Sequence, residues 1–225
     1  MARILNLETA TTNCSVSISE NEKTIIVKEN NAVEYSHSEQ LHVFIKEALD
    51  EASLSFSNLD AVSVSKGPGS YTGLRIGVSA AKGLCFSLDI PLIAVATLES
   101  MARQVKLREN QLVIPVLDAR RMEVYSAVYG ENYKQVRETK AEIIETSSFQ
   151  EYLNYDMVYV VGNGAAKCKD TLQYSNFIFD DTLMPSANEM AVIAHEKYQE
   201  QHFEDVAYFE PYYLKDFILQ GKKKN

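Results

Sequence analysis

The 225-residue sequence has no tryptophan, three cysteines, five prolines and nine glycines. Cys14, Cys85 and Cys168 are odd in number and far apart, which argues against a disulfide framework or a cysteine zinc site and fits reduced cytosolic thiols. No apolar run approaches the ~20 residues that span a bilayer. The opening "MARILNLETATT" runs straight into a strand-like pattern and lacks the layout of a signal peptide, so a cytoplasmic location with no membrane contact is expected. Basic charge is scarce as well: 22 Lys and Arg against 31 Asp and Glu give a net charge of −9. Such a surface lacks the broad electrostatic grip that supplies most non-specific affinity for nucleic acid. The one tight basic cluster is Lys222 to Lys224, read as a solvated tail or a local nucleic-acid contact.

What is present is a pattern of strands and helices that occurs twice. "RILNL" (3–7), "NCSVSIS" (13–19) and "KTIIVK" (23–28) read as three strands, the second half-buried with Cys14, Val16 and Ile18 inward. Ser36 and Glu39 have capping-box spacing before a helix with the stripe Leu41, Phe44/Ile45, Ala48/Leu49 and Ala52. "LDAVSVS" (59–65) is a strand, residues 72–88 a helix, "PLIAVA" (91–96) a strand, and Thr97 starts another helix. The second half follows the same order. "LVIPVLD" (112–118), "MEVYSAVYG" (122–130) and "YKQVRETK" (133–140) are strands, "SSFQEYLN" (147–154) a short helix, and "MVYVVG" (157–162) a buried strand. Ser186 and Glu189 then have capping-box spacing before a helix with the stripe Met190, Ile193/Ala194 and Lys197/Tyr198. Two βββαβα lobes with mixed sheets around a cleft describe an α/β, actin-like or ribonuclease H-like architecture. The predicted lobes are residues 1–105 and 106–225.

In that architecture the strand-end acids Glu8 and Asp118 face each other across the cleft, with Thr9 beside the first. A working ATPase of this kind needs glycine next to each acid, so that backbone can approach phosphate and the carboxylate can hold Mg²⁺. Here "TAT" follows Glu8 and "ARR" follows Asp118. "VVGNGAAK" (160–167), with Gly162 and Gly164, follows a buried strand and is a candidate contact for adenine or ribose, or an ordinary loop. No metal site is expected. His37 and His42 diverge by about 140° round a helix, and His195 and His202 lie roughly 10 Å apart along one. Ser70, Tyr71 and Thr72 sit in a loop without a nucleophile elbow or an evident base.

Four of the nine glycines fall in "KGPGSYTGLRIG" (66–77) at a strand-to-helix junction. This is not a Walker loop, since no GK[ST] follows, and Pro68 removes one N–H donor. Gly73, Gly77 and Ala81 recur every four residues into the helix, where each interior glycine costs about 1 kcal/mol against alanine. A stripe of small residues admits close approach of another backbone. That backbone is either a partner's, with Leu41, Ile45, Leu74 and Val78 supplying apolar area, or the chain's own sheet.

Five segments in order resemble the TsaB (YeaZ) family of bacterial tRNA threonylcarbamoyladenosine biosynthesis proteins. They are "ILNLETATTNCSVSI", "HSEQL" (37–41), "KGPGSYTGLRIGVSAAKGL" (66–84), "LDARRMEVY" (117–125) and "PYYLK" (211–215). Glu8 stands where that family usually has Asp, and Lys215 where it usually has Arg. The resemblance implies a non-catalytic member of the actin-like ATPase superfamily. It would act as scaffold beside the catalytic paralogue TsaD and the ATPase TsaE, or pair with a second copy of itself. It further implies an assembly that uses ATP and threonylcarbamoyl-AMP, none bound tightly by this chain, to modify adenosine 37 of tRNAs reading codons that begin with A. The competing class is an enzyme acting alone, either an actin-fold ATP-dependent enzyme or a glycoprotease-like hydrolase.

Overall fold

The computed structural model describes residues 1–31 and 37–215. The Ser36 half of the first predicted capping box and the basic tail Lys222 to Lys224 lie outside the described residues. In the first half, β1 (Arg3–Glu8), β2 (Asn13–Glu20) and β3 (Lys23–Asn31) precede α1 (His37–Glu51) and β4 (Ala61–Gly67). Then come α2 (Tyr71–Leu88), β5 (Leu92–Ala96) and α3 (Thr97–Ala102). In the second, β6 (Gln111–Asp118), β7 (Glu123–Tyr129) and β8 (Gln135–Ile143) precede β9 (Met157–Val161) and α4 (Ala165–Thr171). β10 (Phe177–Asp180) and α5 (Met190–Gln199) complete it. Each half forms its own five-stranded sheet, ordered β3-β2-β1-β4-β5 and β10-β9-β6-β7-β8. Within each, the first three strands pair antiparallel and the last two join in parallel. The twofold repeat expected from the sequence is therefore a repeat of topology.

The second half departs from its sequence reading in three places. Residues 147–154 form only a 3-10 turn at Gln150–Tyr152, while α4 and β10 were not anticipated. A seven-residue helix, "AAKCKDT", has too few turns to show a period, and a four-residue strand too few alternations. The capping box at Ser186 does not form either. Glu189 is the residue before α5, and Ser186 Oγ instead donates to Glu29 at 2.8 Å and accepts from the Asn188 amide at 3.2 Å.

The two halves trade helices. On one face of the first sheet, Leu41, Ile45 and Leu49 of α1 and Val78, Ala81 and Cys85 of α2 pack against Leu5, Leu7, Val16 and Val64. The opposite face is covered by Met190, Ile193 and Ala194 of α5, from the far end of the chain, over Ile4, Ile93 and Val95. Reciprocally, Leu98, Met101 and Ala102 of α3 leave the first half to cover Val113, Leu117 and Ala127 of the second sheet. This explains why β2 is buried on both faces and not half-buried. Its serines turn toward the loop before α5: Ser17 Oγ donates to Ala187 O at 2.7 Å, and Ser15 Oγ accepts from the Ala187 amide at 3.0 Å. Alternation was read correctly, but the outer face is roofed by residues about 170 positions away.

Candidate functional site

A cleft of about 310 Å³ opens where β1, β4 and β6 end. Its walls are the β1–β2 turn (Ala10, Thr11), the glycine loop (68–72), the β6–β7 turn (117–120), Tyr125, Asn163 and the C-terminal run Tyr212 to Lys215. Carboxyl ends of parallel strands are where open α/β sheets bind ligands. Asp118 alone among the predicted cleft residues lines this space. Its Oδ1 takes the Lys167 ammonium at 2.5 Å and the Arg120 amide at 2.6 Å, and its own amide donates to Asn163 Oδ1 at 2.8 Å. The turn acid is therefore already paired.

Glu8 does not face Asp118 across the cleft. It is fully buried, and its Oε1 accepts from the Ala10 amide at 2.6 Å. Loss of hydration pushes its carboxyl up to about 7, against which the Ala10 amide, the Ser65 hydroxyl and the Thr9 backbone pull only in part. Because β1 lies between two packed layers, a strand-end residue points into protein whichever face it takes. Thr9 is buried too, its hydroxyl donating to Gly73 O at 2.8 Å. Gly162 and Gly164 seat the β9–α4 turn on β6, with the Gly164 amide donating to Val116 O at 3.2 Å, and neither borders the cleft.

The glycine segment is packed inward as well. A Cβ on Gly73 would strike the Thr9 carbonyl oxygen, one on Gly77 the Thr9 hydroxyl, and one on Gly69 would lie 2.5 Å from Ala10 O. Gly67 sits at φ +109, in the region that favours glycine, with Tyr212 O 2.9 Å from where its Cβ would be. The backbone that comes close is thus the chain's own β1–β2 turn. All seven residues predicted to meet a partner, Leu41, Ile45, Gly73, Leu74, Gly77, Val78 and Ala81, are buried in this chain. The exposed side of α2 is offset from that stripe and carries Thr72, Arg75, Ser79, Gly83 and Phe86, the last 85% exposed.

Sequence reasoning missed the aromatic and C-terminal wall. Tyr71 and Tyr213 pack with tilted rings, centroids 5.0 Å apart, and the Arg75 guanidinium lies 4.1 Å from the Tyr71 centroid while donating to Tyr213 Oη at 3.2 Å. The Tyr212 amide donates to Lys66 O at 2.7 Å, and Lys215 pairs with Glu123 and donates to Ala119 O at 3.3 Å. The segment "PYYLK" therefore ties the end of β4 to the β6–β7 turn. Its order in the chain was visible from the sequence; its path across the cleft was not.

Among the described residues, no three His, Cys, Asp or Glu side chains gather in a metal-binding group. His37, read as a surface or capping residue, is buried and meets Thr11 O through Nε2 at 2.6 Å. The three cysteines are buried, and burial pushes their thiols up to about 11, 11 and 12, which makes them poor nucleophiles. No described helix is long and apolar enough to cross a membrane.

Comparison with known proteins places these features in context. The family model for "TsaD: tRNA N6-adenosine threonylcarbamoyltransferase" matches residues 31–222. The tRNA threonylcarbamoyladenosine biosynthesis protein TsaB of Haemophilus influenzae is 29% identical, over 97% of this chain and 96% of its own length. The Escherichia coli protein of the same name is 32% identical, over 98% and 97%. A solved Pseudomonas aeruginosa structure, described by its similarity to peptidase YeaZ, superposes with a TM-score of 0.84 at 24% identity, covering 96% of this chain and all of that one.

Proposed function

Because the chain belongs to the TsaB family of tRNA threonylcarbamoyladenosine biosynthesis proteins, we propose that it is the non-catalytic scaffold of the assembly that modifies adenosine 37. The observation that carries this reading is the state of the two turn acids. Glu8 is sealed in the core, and Asp118 is neutralised by Lys167, so neither is free to hold a metal-bound phosphate. The glycine loop, whose amides could have cradled an anion, is pressed onto the β1–β2 turn, with the Ser70 amide donating to Ala10 O at 2.7 Å. Catalysis then resides in a TsaD homologue, with a TsaE homologue as ATPase. ATP, threonylcarbamoyl-AMP and tRNA are substrates of the cytoplasmic complex and not tight ligands of this chain.

The partner, a TsaD homologue or a second copy of this chain, docks on the outer side of α2. Phe86 gives that surface an apolar anchor, and Gly83, with nothing within 4 Å of its Cβ position, lets a facing helix come close.

The test is reconstitution with TsaD and TsaE homologues. Asp118→Ala should change tRNA modification by less than about tenfold, since losing an exposed pair costs about 1 kcal/mol or less. A loss of a hundredfold or more, with the complex still assembled, would establish a catalytic role. ATP or peptide hydrolysis by the purified chain alone would do the same. Phe86→Asp should weaken association about tenfold or more and leave the melting temperature unchanged.

A further inference from the structure

A second cavity, of about 390 Å³, lies between the two halves, walled by the ends of β4, β5 and β7, by β8, and by α3 and α5. Gly67 and Ala96, which pair across the β4–β5 ladder, form one edge of it. Lys66 adjoins that pair, and Lys197 of α5 reaches over to donate to Ala94 O at 2.7 Å. Two lysines thus meet at the carboxyl ends of adjacent parallel strands, and the charge on Lys66 is felt at Lys197. Lys66 has no hydrogen bond or ion pair among the described residues, and Lys197 has an ion pair with none of them. Burial pulls the Lys197 ammonium below the usual lysine range. Neighbouring cations held partly out of water without a counter-ion are unfavourable.

Tyr129 makes a second, independent observation. It is 3% exposed and lines the same cavity from the end of β7. Its hydroxyl has no hydrogen-bond partner among the described residues, and it is not one of the polar atoms sealed from solvent. The little surface that Tyr129 keeps therefore opens into the cavity. Burial, with the Glu99 charge beside it, holds the hydroxyl protonated. The same Glu99 charge is felt at Lys197, so hydroxyl and ammonium lie on either side of one carboxylate. Glu99 does not answer the lysines directly, since its one ion pair among the described residues is with Arg103 at 3.8 Å. Lys66, Lys197 and Glu99 leave the lining with one net positive charge, in a chain whose net charge is −9.

We propose that this cavity binds one small oxyanion, a carboxylate or a phosphate, through Lys66, Lys197 and the Tyr129 hydroxyl. An ammonium only donates, and a tyrosine hydroxyl without an acceptor has its proton to give. Their common ligand must be rich in acceptors and negatively charged, which is the chemistry of an oxyanion. Charge-assisted hydrogen bonds of this kind are the strong ones, and lysine serves phosphate as a point charge. The anion would join β4 and α5 to β7 of the second sheet, and so tie the two halves together. This site goes beyond the scaffold reading and stands apart from it, because binding is read on the chain alone.

Sodium phosphate and sodium acetate are the probes, each titrated calorimetrically into the full-length chain in a chloride buffer. Wild type should bind at least one of them saturably, with Kd below about 10 mM, and the tighter ion names the ligand's class. Tyr129→Phe keeps the ring and removes only the hydroxyl, and it should weaken binding about tenfold. Lys66→Met keeps the length of the side chain and removes the charge, and it should weaken binding by at least as much. The ion should also raise the melting temperature of wild type more than that of either variant, at equal ionic strength. Circular dichroism reports whether each variant folds, and either folded variant suffices. Absence of saturable binding of both ions below about 10 mM, or equal binding by a folded variant, overturns the site.

Discussion

A carboxylate taken out of water favours its neutral form, and Glu8 is held wholly inside the protein with its carboxyl at about 7. In the unfolded chain it ionises near 4.5, so between these values the folded state binds the extra proton. Stability contributed by Glu8 therefore falls as pH rises through that window and is level above it. Glu8→Gln removes the ionisation. Unfolding free energies of the variant from urea titrations should exceed those of wild type by an amount that grows from pH 5 to pH 7 and then stays constant, up to about 3 kcal/mol. A wild type that gains stability relative to Glu8→Gln over the same range would show the carboxylate to be favoured in the folded state. The glycines of α2 give a second comparison at this scale. Gly83 faces open space, so Gly83→Ala should stabilise by about 1 kcal/mol through helix propensity. Gly73→Ala drives a methyl into the Thr9 carbonyl, backbone that cannot swing aside, and should cost about 1–3 kcal/mol or more. Melting curves of the two variants decide it, and equal effects would mean that the helix floats above the turn.

Elements were legible from the sequence where they are long and periodic. β2 and β7 alternate, α1 and α2 run for 15 and 18 residues, and all four were placed within a few positions. Direction was harder to read than existence. The stripe Gly73, Gly77 and Ala81 is a real surface of α2, but pattern alone does not say whether a helix's small residues meet a partner or its own sheet. Glu8 is the same problem at a strand end, because period-2 phase identifies a face and not what covers it. The cleft wall formed by Tyr212 and Tyr213 was hidden for another reason. Residues 204–215 have no regular structure beyond one bridge between Glu204 and Leu92, and they are held by contacts such as Lys82 Nζ donating to Ala207 O at 3.1 Å and Phe209 O at 3.0 Å. Such side-chain-to-backbone ties leave no periodic trace.

For the molecule as a whole, the exchange of α3 and α5 makes each sheet's second face the property of the other half. Residues 1–105 alone would leave Ile4, Ile93 and Val95 bare, and residues 106–225 alone would leave Val113, Leu117 and Ala127 without α3. Separately expressed, the two pieces should be aggregated or partly folded, and co-expression should restore a soluble pair with the far-ultraviolet dichroism of the intact chain. A first piece that unfolds cooperatively by itself would show that α5 is dispensable to its sheet. During synthesis, β5 ends at residue 96 and α5 at residue 199, so the first sheet waits for about a hundred further residues before its second face is covered. At common elongation rates that is roughly 5–20 s in which a finished sheet is open to a ribosome-bound chaperone or to a neighbouring nascent chain.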